Sequence, residues 1–274
     1  MNPETPTFES EGLKIDKDRV LTYSQLVCPL ECLYCFSNDL SFTQRRDMAY
    51  LSEKQLQLFK ELPPDVRMIM LGCDTEFFQP KAKALEILHQ LVNFSKDISI
   101  VTKMSLSEEV IAELRNVDGQ LRQHNNFLSF SESLTSLSSA KRWEPRAPDP
   151  KRRIKTLKKA HQAGVKTFVA LRPLLPTVPE EELRELVTLT KDYCYGYYSG
   201  PLYLKSLEHP LIDLGETSDL TIERIQPHWM PEGNEFYRIE KNGQMDMLRS
   251  IVEGNNKMLF EGAAEAMNYW RDHD

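Results

Sequence analysis

The chain has 274 residues, of which 41% are hydrophobic and 27% are charged, with only 11 glycines and 16 prolines. This composition is typical of a globular chain with a sizeable core, and it excludes a fibrous protein, a disordered protein and a disulfide-stapled miniprotein. The formal net charge is −7, and all of it lies in residues 201–274, which hold 7 basic and 14 acidic residues. An acidic C-terminal portion repels phosphate backbones, so that portion is not expected to grip nucleic acid.

Neither a membrane span nor an export signal is predicted. No run approaches the roughly 18 consecutive apolar residues of a spanning helix, and residues 1–12 carry acids where a signal peptide carries bases. Five cysteines, an odd number, argue against a disulfide framework. We therefore expect a cytoplasmic protein with no membrane partner.

Apolar runs and helix caps alternate along the chain. The predicted strands are 19–26, 68–71, 98–101, 127–130, 167–171 and 195–204, and the predicted helices are 52–62, 81–94, 107–114, 150–163 and 179–193. Ser52 and Gln55 make a capping box, and Asp149 followed by Pro150 caps the fourth helix, which Gly164 closes. Helical spacing returns over 245–270.

Repeated strand and helix units predict a parallel sheet with right-handed crossovers. Six strands fit an α/β fold of the partial (β/α)6 TIM type better than a complete eight-fold barrel. We expect an N-terminal extension at 1–18, the partial barrel at 19–204 and a C-terminal extension at 205–274 packed on the barrel. In such folds the chemistry gathers at the carboxyl ends of the strands.

The first chemical signal is a group of three cysteines after the first predicted strand. Cys28, Cys32 and Cys35 follow a C-x3-C-x2-C spacing. Three thiolates on one loop can hold three irons of a four-iron four-sulfur (4Fe–4S) cluster and leave the fourth iron open to another ligand. The alternative is a zinc site, but zinc prefers four ligands, and the first histidine of the chain is His89.

This spacing, with an aromatic residue before the last cysteine, resembles the radical S-adenosylmethionine superfamily. Further segments resemble, in family order, the spore photoproduct lyase branch of that superfamily. They are residues 71–76 with 79–80, 101–103, 129–131, 143–148 and 171–176.

The resemblance implies two cofactors, a 4Fe–4S cluster held by the three cysteines and S-adenosylmethionine bound to the open iron. It implies that an electron from an external donor of the flavodoxin or ferredoxin type cleaves S-adenosylmethionine to methionine and a 5′-deoxyadenosyl radical. That radical takes hydrogen from a C–H bond of the substrate.

The resemblance also assigns side chains to S-adenosylmethionine. The implied binding residues are Tyr34, Gly72, Asp74, Thr75, Glu76, Lys103, Ser129, Ser131 and Arg146. Gly72 would let the backbone approach the methionine part, and residues 74–76 would meet its ammonium group. Lys103 or Arg146 would meet its carboxylate, and the two serines, which share one strand face, would meet the ribose. The ordinary alternatives are a helix cap at 74–75, a solvated Lys103 and a surface ion pair for Arg146.

Cys73 lies just after a predicted strand, one residue beyond Gly72, on the same rim as the cysteine triplet. In the spore photoproduct lyase a cysteine in a similar context donates hydrogen to a substrate radical, and the resemblance implies the same catalytic role for Cys73. The alternative is a cysteine that packs in the core.

Three other features are open to two interpretations or carry no site. Nine basic residues lie within 141–159, and on a helix over 150–163 most would share the outer face, which favours a solvated surface over a nucleic-acid patch. Five tyrosines within 193–203 either line a substrate cleft or pack across strands. Cys194 has no cysteine nearby, so no auxiliary iron–sulfur site is expected.

The predicted function is therefore that of a radical S-adenosylmethionine enzyme. We expect it to tailor a peptide or a small metabolite, with or without a separate recognition protein. The alternative is a DNA lesion lyase with Cys73 as hydrogen donor, which the acidic C-terminal portion opposes, as does Phe36, where the lyase has tyrosine. A metal-binding or interaction protein that keeps only the barrel is a third, non-enzymatic alternative.

Overall fold

The computed structural model describes residues 7–24, 26–39, 50–208, 212, 214–230 and 232–273. The strands are β1 (Leu13–Asp16), β2 (Arg19–Thr22), β3 (Met68–Leu71), β4 (Asp97–Thr102), β5 (Leu128–Ser133), β6 (Lys166–Leu171), β7 (Gly196–Ser199), β8 (Leu202–Leu204), β9 (Leu220–Ile225), β10 (Phe236–Lys241) and β11 (Leu259–Phe260). The helices are α1 (Glu53–Leu58), α2 (Lys81–Leu91), α3 (Glu108–Arg122), α4 (Ala140–Trp143), α5 (Pro150–Gln162), α6 (Glu180–Thr190), α7 (Gln244–Glu253) and α8 (Ala263–His273).

Eight strands form one open sheet in the order β1-β2-β3-β4-β5-β6-β7-β11. The strands from β2 to β7 are parallel to one another, and β11 extends the parallel set beside β7. β1 pairs antiparallel with β2 at the other edge. The predicted partial barrel of six parallel strands is confirmed, and one strand from outside the 19–204 range is added at each edge.

Local caps explain where the helices begin. The predicted capping box is present at the start of α1, where the Ser52 side chain accepts from the Gln55 amide and the Gln55 side chain accepts from the Ser52 amide. Asp149 caps α5 by accepting from the amide of Lys151, and Pro150 is its first residue. α2 and α6 each end in a short 3₁₀ turn that reaches the predicted end.

Three predicted boundaries are wrong. The single strand over 195–204 divides at Gly200 and Pro201, because proline has no amide hydrogen for the sheet and β8 instead pairs antiparallel with β10 in a second sheet. The helix over 107–114 continues to Arg122, since Val117 and Leu121 extend its buried face. The helical spacing over 245–270 belongs to two helices with β11 between them.

The two faces of the sheet are covered by different elements. Ile69 and Leu71 of β3 pack in one buried cluster with Leu88 of α2, on the outer face. Met68 and Met70 alternate with them and pack on the inner face, in a cluster that includes residues 263, 264, 266 and 267 of α8. The C-terminal helix therefore covers the inner face of the partial barrel.

α8 lies at the amino ends of the strands. Arg271 forms an ion pair with Asp97, the first residue of β4. The Asn268 side-chain amide donates to Asp18, which directly precedes β2, at 3.0 Å. The carboxyl ends of the strands are thus left for the site. No helix in the described part of the chain is long and apolar enough to cross a membrane.

The second sheet, in the order β8-β10-β9, lies near the carboxyl ends of the first. The Tyr23 hydroxyl, which follows β2, donates to the Trp229 carbonyl in the loop between β9 and β10 at 2.7 Å. Phe36, just past the cysteine triplet, contacts the Trp229 ring with the ring centroids 5.5 Å apart. This sheet and its loop therefore form one wall of the mouth of the partial barrel.

Candidate functional site

The three cysteines lie on one loop that leaves the carboxyl end of β2. The Cys35 amide donates to the Cys32 carbonyl at 3.0 Å, and the Leu33 amide donates to the Trp143 carbonyl at 2.8 Å. The second bond fastens the loop to the end of α4, so the two segments are held together. Cys32 is buried, whereas Cys28 and Cys35 are partly exposed.

The donor set fits a cluster carried by thiolates. Burial, opposed by Lys103 and reinforced by Glu144, Cys35 and Cys28, raises the pKa of Cys32 to about 12. Burial also raises the pKa of Cys35, and Lys103 again opposes the rise. The described residues contain no group of three or more His, Cys, Asp or Glu side chains gathered for a single metal ion. The three cysteines lie close enough to influence one another's pKa, and a cluster takes one thiolate on each of three irons.

Lys103 follows β4 and lies beside the cysteine loop. Its Nζ is 3.9 Å from Glu144 Oε1 and 5.6 Å from the centroid of the Tyr34 ring. Burial by itself lowers the pKa of Lys103, but the nearby Cys32 and Glu144 raise it overall. Lys103 is therefore a fixed cation at the carboxyl end of the sheet.

Glu144 is the centre of a buried charge network. It is 2% exposed, accepts a hydrogen bond from the Tyr34 hydroxyl, and forms an ion pair with Arg153 at 2.5 Å. Thr135 donates to the same carboxylate at 3.0 Å. Although burial alone would raise the pKa of Glu144, the cations Lys103 and Arg153 lower it. The predicted site residue Tyr34 is thus held by Glu144.

Arg153 is the exception on the basic helix. The prediction put most of the basic residues on a solvated outer face, but the Arg153 side chain is fully buried against Glu144. Its Nη1 also donates to the carbonyl of Ser133 at 2.7 Å. The sequence does contain the signal, because Arg153 precedes the buried Leu157 by four residues and shares its face of α5.

Glu76 holds the backbone that presents Lys103. Its carboxylate accepts from the Lys103 amide at 3.0 Å, from the Thr102 hydroxyl at 2.7 Å and from the Phe78 amide at 3.0 Å. Burial raises the pKa of Glu76, and these three donors oppose the rise. The Glu76 carboxylate is therefore already hydrogen-bonded at the strand ends. The predicted contact with the cofactor's ammonium group would compete with these three hydrogen bonds.

Gly72 has a structural reason to be glycine. Its φ is +86°, and a Cβ atom there would lie 2.2 Å from the carbonyl oxygen of Val101. Its amide donates to the Tyr50 hydroxyl at 2.7 Å. Close packing of β3 on β4 therefore accounts for this glycine, whereas the prediction assigned it an approach to the methionine part of the cofactor.

The remaining polar candidates are buried near the same strand ends. Asp74 and Thr75 are 3% and 6% exposed, and Asp74 accepts from the Ser24 hydroxyl at 3.3 Å. Ser129 bonds to Ser99 at 3.2 Å. Ser131 lies close enough to Tyr198 to oppose the rise in that tyrosine's pKa, and its hydroxyl has no hydrogen-bond partner by geometry among the described residues. Of the two serines, Ser131 is therefore the better candidate for a ligand.

Arg146 lies on the surface. Its side chain is 60% exposed and forms a 2.6 Å ion pair with Glu31 of the cysteine loop. This position matches the surface ion pair that was the alternative to a cofactor contact. Lys103 is the better candidate for a carboxylate.

Cys73 lies on the inner face of the sheet, at the end of β3. Its Sγ donates to the Met70 carbonyl at 3.3 Å, and it packs against a buried cluster that contains Tyr23. Burial raises the pKa of Cys73 to about 12, and Asp74 adds to the rise. Cys73 is therefore a thiol, with an intact S–H bond, at neutral pH.

Two features of the mouth were not predicted. Both carboxylate oxygens of Glu132 are buried without a hydrogen-bond partner among the described residues, and burial raises its pKa well above the usual range. An aromatic wall also faces Cys73 and consists of Phe36, Tyr203, Trp229 and Phe236. Of the five tyrosines over 193–203, Tyr203 joins this wall and Tyr198 packs on the inner face, whereas Tyr197 packs in the outer core.

The family comparison matches residues 22–190 to the radical SAM superfamily. A comparison with curated proteins finds none that matches the chain. The matched range contains the cysteine loop, Cys73, Lys103 and the charge network.

Two groups of solved structures share the fold. A spore photoproduct lyase variant has a TM-score of 0.61 at 13% identity, over 85% of this chain and 72% of that chain. SuiB of Streptococcus suis bound to S-adenosylmethionine has a TM-score of 0.53 at 17% identity, over 70% of this chain and 42% of that one. Radical SAM enzymes in general use a 4Fe–4S cluster and S-adenosylmethionine and need an electron donor. The chain belongs to the radical SAM superfamily and is an enzyme of that class.

Proposed function

We propose that this enzyme holds a 4Fe–4S cluster on Cys28, Cys32 and Cys35 and uses S-adenosylmethionine to tailor a peptide or a small metabolite. The bound cofactors supply a 5′-deoxyadenosyl radical that takes hydrogen from a substrate C–H bond. The observation that carries the proposal is the placement of three thiols of one loop beside the Lys103 cation at the carboxyl end of a parallel sheet.

The residues around the loop would bind and orient S-adenosylmethionine. Lys103 would hold the methionine carboxylate, because a fixed cation in a low-dielectric site favours a carboxylate partner. Asp74 would accept from the ammonium group, and Ser131 would bind a ribose hydroxyl. Tyr34, held by Glu144, keeps the cysteine loop in place against Lys103.

Cys73 would return hydrogen to the substrate. The substrate radical takes the hydrogen atom from Sγ, so the S–H bond breaks, a C–H bond forms in the product and the sulfur is left as a radical. One electron from the external donor and one proton restore the thiol. The raised pKa of Cys73 supports this role, because it preserves the S–H bond.

A DNA lesion lyase is the second candidate. The fold likeness to spore photoproduct lyase, including a complex with dinucleoside spore photoproduct, and the position of Cys73 favour it. The acidic last quarter of the chain favours a peptide or small molecule instead, and a structure of SuiB with the precursor peptide SuiA has a similar fold. Gel-shift titrations against salt separate the two, because a duplex binder loses affinity steeply as salt rises.

The proposal is tested by assaying 5′-deoxyadenosine. The anaerobically reconstituted and reduced enzyme is expected to release it slowly from S-adenosylmethionine, even without substrate. The triple variant Cys28→Ala, Cys32→Ala, Cys35→Ala is expected to release none, whereas Cys194→Ala, which changes a buried cysteine far from the loop in sequence, is expected to behave as wild type. Tightly bound zinc in the native protein, or equal release by the triple variant, would contradict the proposal.

A further inference from the structure

Arg172 is a cation at the mouth with no counterion among the residues that the structure describes. It directly follows β6, and its side chain is partly buried. Within the described ranges its guanidinium group has no ion pair and no hydrogen bond, whereas Arg153, Arg238 and Arg271 each pair with a carboxylate. A cation withdrawn from water without a partner is costly. Such a group is well suited to pair with an anion that binds from outside.

The guanidinium group of Arg172 is held by packing. Its Cζ is 5.6 Å from the centroid of the Trp229 ring. A Cβ atom on Gly200 would lie 3.0 Å from its Nε and 3.2 Å from its Cζ, so any larger residue there would press on the arginine. The Trp229 loop is fixed by the hydrogen bond from Tyr23. Contacts with a ring and a glycine leave the N–H groups available for the two parallel hydrogen bonds that arginine makes to a carboxylate or a phosphate.

Arg172 and Cys73 lie at the same opening. Burial raises the pKa of Tyr23, Cys73 adds to the rise and Arg172 opposes it. The pKa of Tyr198, on the inner face of the sheet, is likewise raised by burial and by Cys73, and Arg172 again opposes the rise. Both side chains are therefore within electrostatic reach of the same two tyrosines.

We infer that Arg172 binds an anionic oxygen group of the substrate, a carboxylate or a phosphate, and holds the substrate against Trp229 beside Cys73. The inference rests on the proposed function only in taking the bound anion to be the substrate of the reaction at Cys73. The anion site itself depends only on the protein, so it can be measured without turnover.

Isothermal titration calorimetry of the full-length, cluster-loaded protein with S-adenosylmethionine tests the inference. The probes are N-acetylglycine for a carboxylate, methyl phosphate for a phosphate, and N-acetylglycinamide as the neutral match of the first. At least one anion is expected to bind and the amide is not, and the anion that binds more tightly identifies the substrate group. Arg172→Gln is expected to weaken anion binding about tenfold or more, as expected for loss of a charge-assisted pair.

The matched control is Arg238→Gln. This substitution also removes one positive charge, and Arg238, like Arg172, opposes the rise in the pKa of Tyr203. The Arg238 guanidinium, however, is already paired with Glu240. Anion binding to this variant is expected to stay within about twofold of wild type, because an exposed, paired charge contributes little.

A second variant keeps the test valid if Arg172→Gln misfolds. Iron content and melting temperature would reveal such misfolding. Gly200→Ala keeps the charge but crowds the guanidinium group, which must shift by a few tenths of an ångström, and it too is expected to weaken anion binding. The inference would be overturned if neither anion bound to the wild-type protein, or if Arg172→Gln and Gly200→Ala both bound the anion as tightly as wild type. A loss of S-adenosylmethionine affinity in Arg172→Gln would also overturn it. A failure to release 5′-deoxyadenosine would instead contradict the proposed function and leave the anion titration interpretable.

Discussion

The two sides of the mouth differ in whether their charged side chains are paired. On the cysteine side, Glu144 lies between Lys103 and Arg153 and also accepts from Tyr34. On the aromatic side, Arg172 lies against Trp229 with no carboxylate partner among the described residues. A charge network that is paired without a ligand fixes the positions of its members, whereas an unpaired cation is completed by a ligand. The cysteine side is therefore suited to hold a constant cofactor, and the aromatic side to bind and release a substrate.

The largest expected effect breaks the pairing on the cysteine side. Glu144→Ala leaves Arg153 buried without its partner, and loss of one partner of a buried pair costs about 3–5 kcal/mol of unfolding free energy. Arg146→Ala, which breaks an exposed pair with Glu31, is the control and is expected to cost about 1 kcal/mol or less. Denaturant unfolding of both variants measures the difference. Equal destabilisation would show that the buried network does not hold the cysteine side.

Lys103→Ala is expected to affect cofactor binding. Loss of a hydrogen bond to a charged group costs about 1.5–3 kcal/mol, so S-adenosylmethionine affinity should fall about tenfold or more. Arg146→Ala should leave this affinity close to wild type, because its side chain is on the surface and paired with Glu31. Calorimetric titration with S-adenosylmethionine measures both. A loss in Arg146→Ala and none in Lys103→Ala would reverse the assignment of the carboxylate partner.

Cys73→Ala is expected to change the product. It should still bind the cluster and cleave S-adenosylmethionine, since neither step needs a fourth thiol, but it should divert the substrate radical to a by-product. Removal of the sulfur should lower the unfolding free energy by about 1–3 kcal/mol, as for other core truncations. Product analysis and melting temperatures are compared with those of Cys194→Ala. An unchanged product from a less stable Cys73→Ala enzyme would refute the donor role.

The smallest effect concerns the thiol state of Cys73. Because its pKa is raised to about 12, its alkylation rate should keep rising about tenfold per pH unit above the ordinary thiol value of 9.0. The same cysteine in the denatured chain should level off near that value. Mass spectrometry of iodoacetamide-treated protein follows both rates. A plateau near the ordinary value in the folded protein would mean that Cys73 is not held as a protonated thiol.

The cysteine side was predictable from local sequence only in part. The cysteine spacing and the strand before it are local signals, and so are the caps of α1 and α5. The bond between Tyr34 and Glu144 joins residues 110 positions apart, and no local pattern indicates such a partner. The burial of Arg153 was not predicted, because the run of basic residues around it outweighed its four-residue spacing from Leu157.

The aromatic side was less predictable, because chain segments far apart in sequence build it. Trp229 comes from the loop before β10, Phe36 from the end of the cysteine loop and Arg172 from the end of β6. The packing of Arg172 against Gly200 likewise joins two segments that no local pattern connects. Helical spacing predicted the helical character of α8 but not its position on the inner face.

Electron paramagnetic resonance of the reduced enzyme, with and without S-adenosylmethionine, tests the central claim most directly. The claim is that the cysteine side joins a 4Fe–4S cluster to S-adenosylmethionine. The account predicts a cluster signal in the wild-type enzyme that changes when S-adenosylmethionine is added, and no such signal in the triple cysteine variant. A wild-type enzyme without a cluster signal, or with a signal that S-adenosylmethionine leaves unchanged, would contradict it.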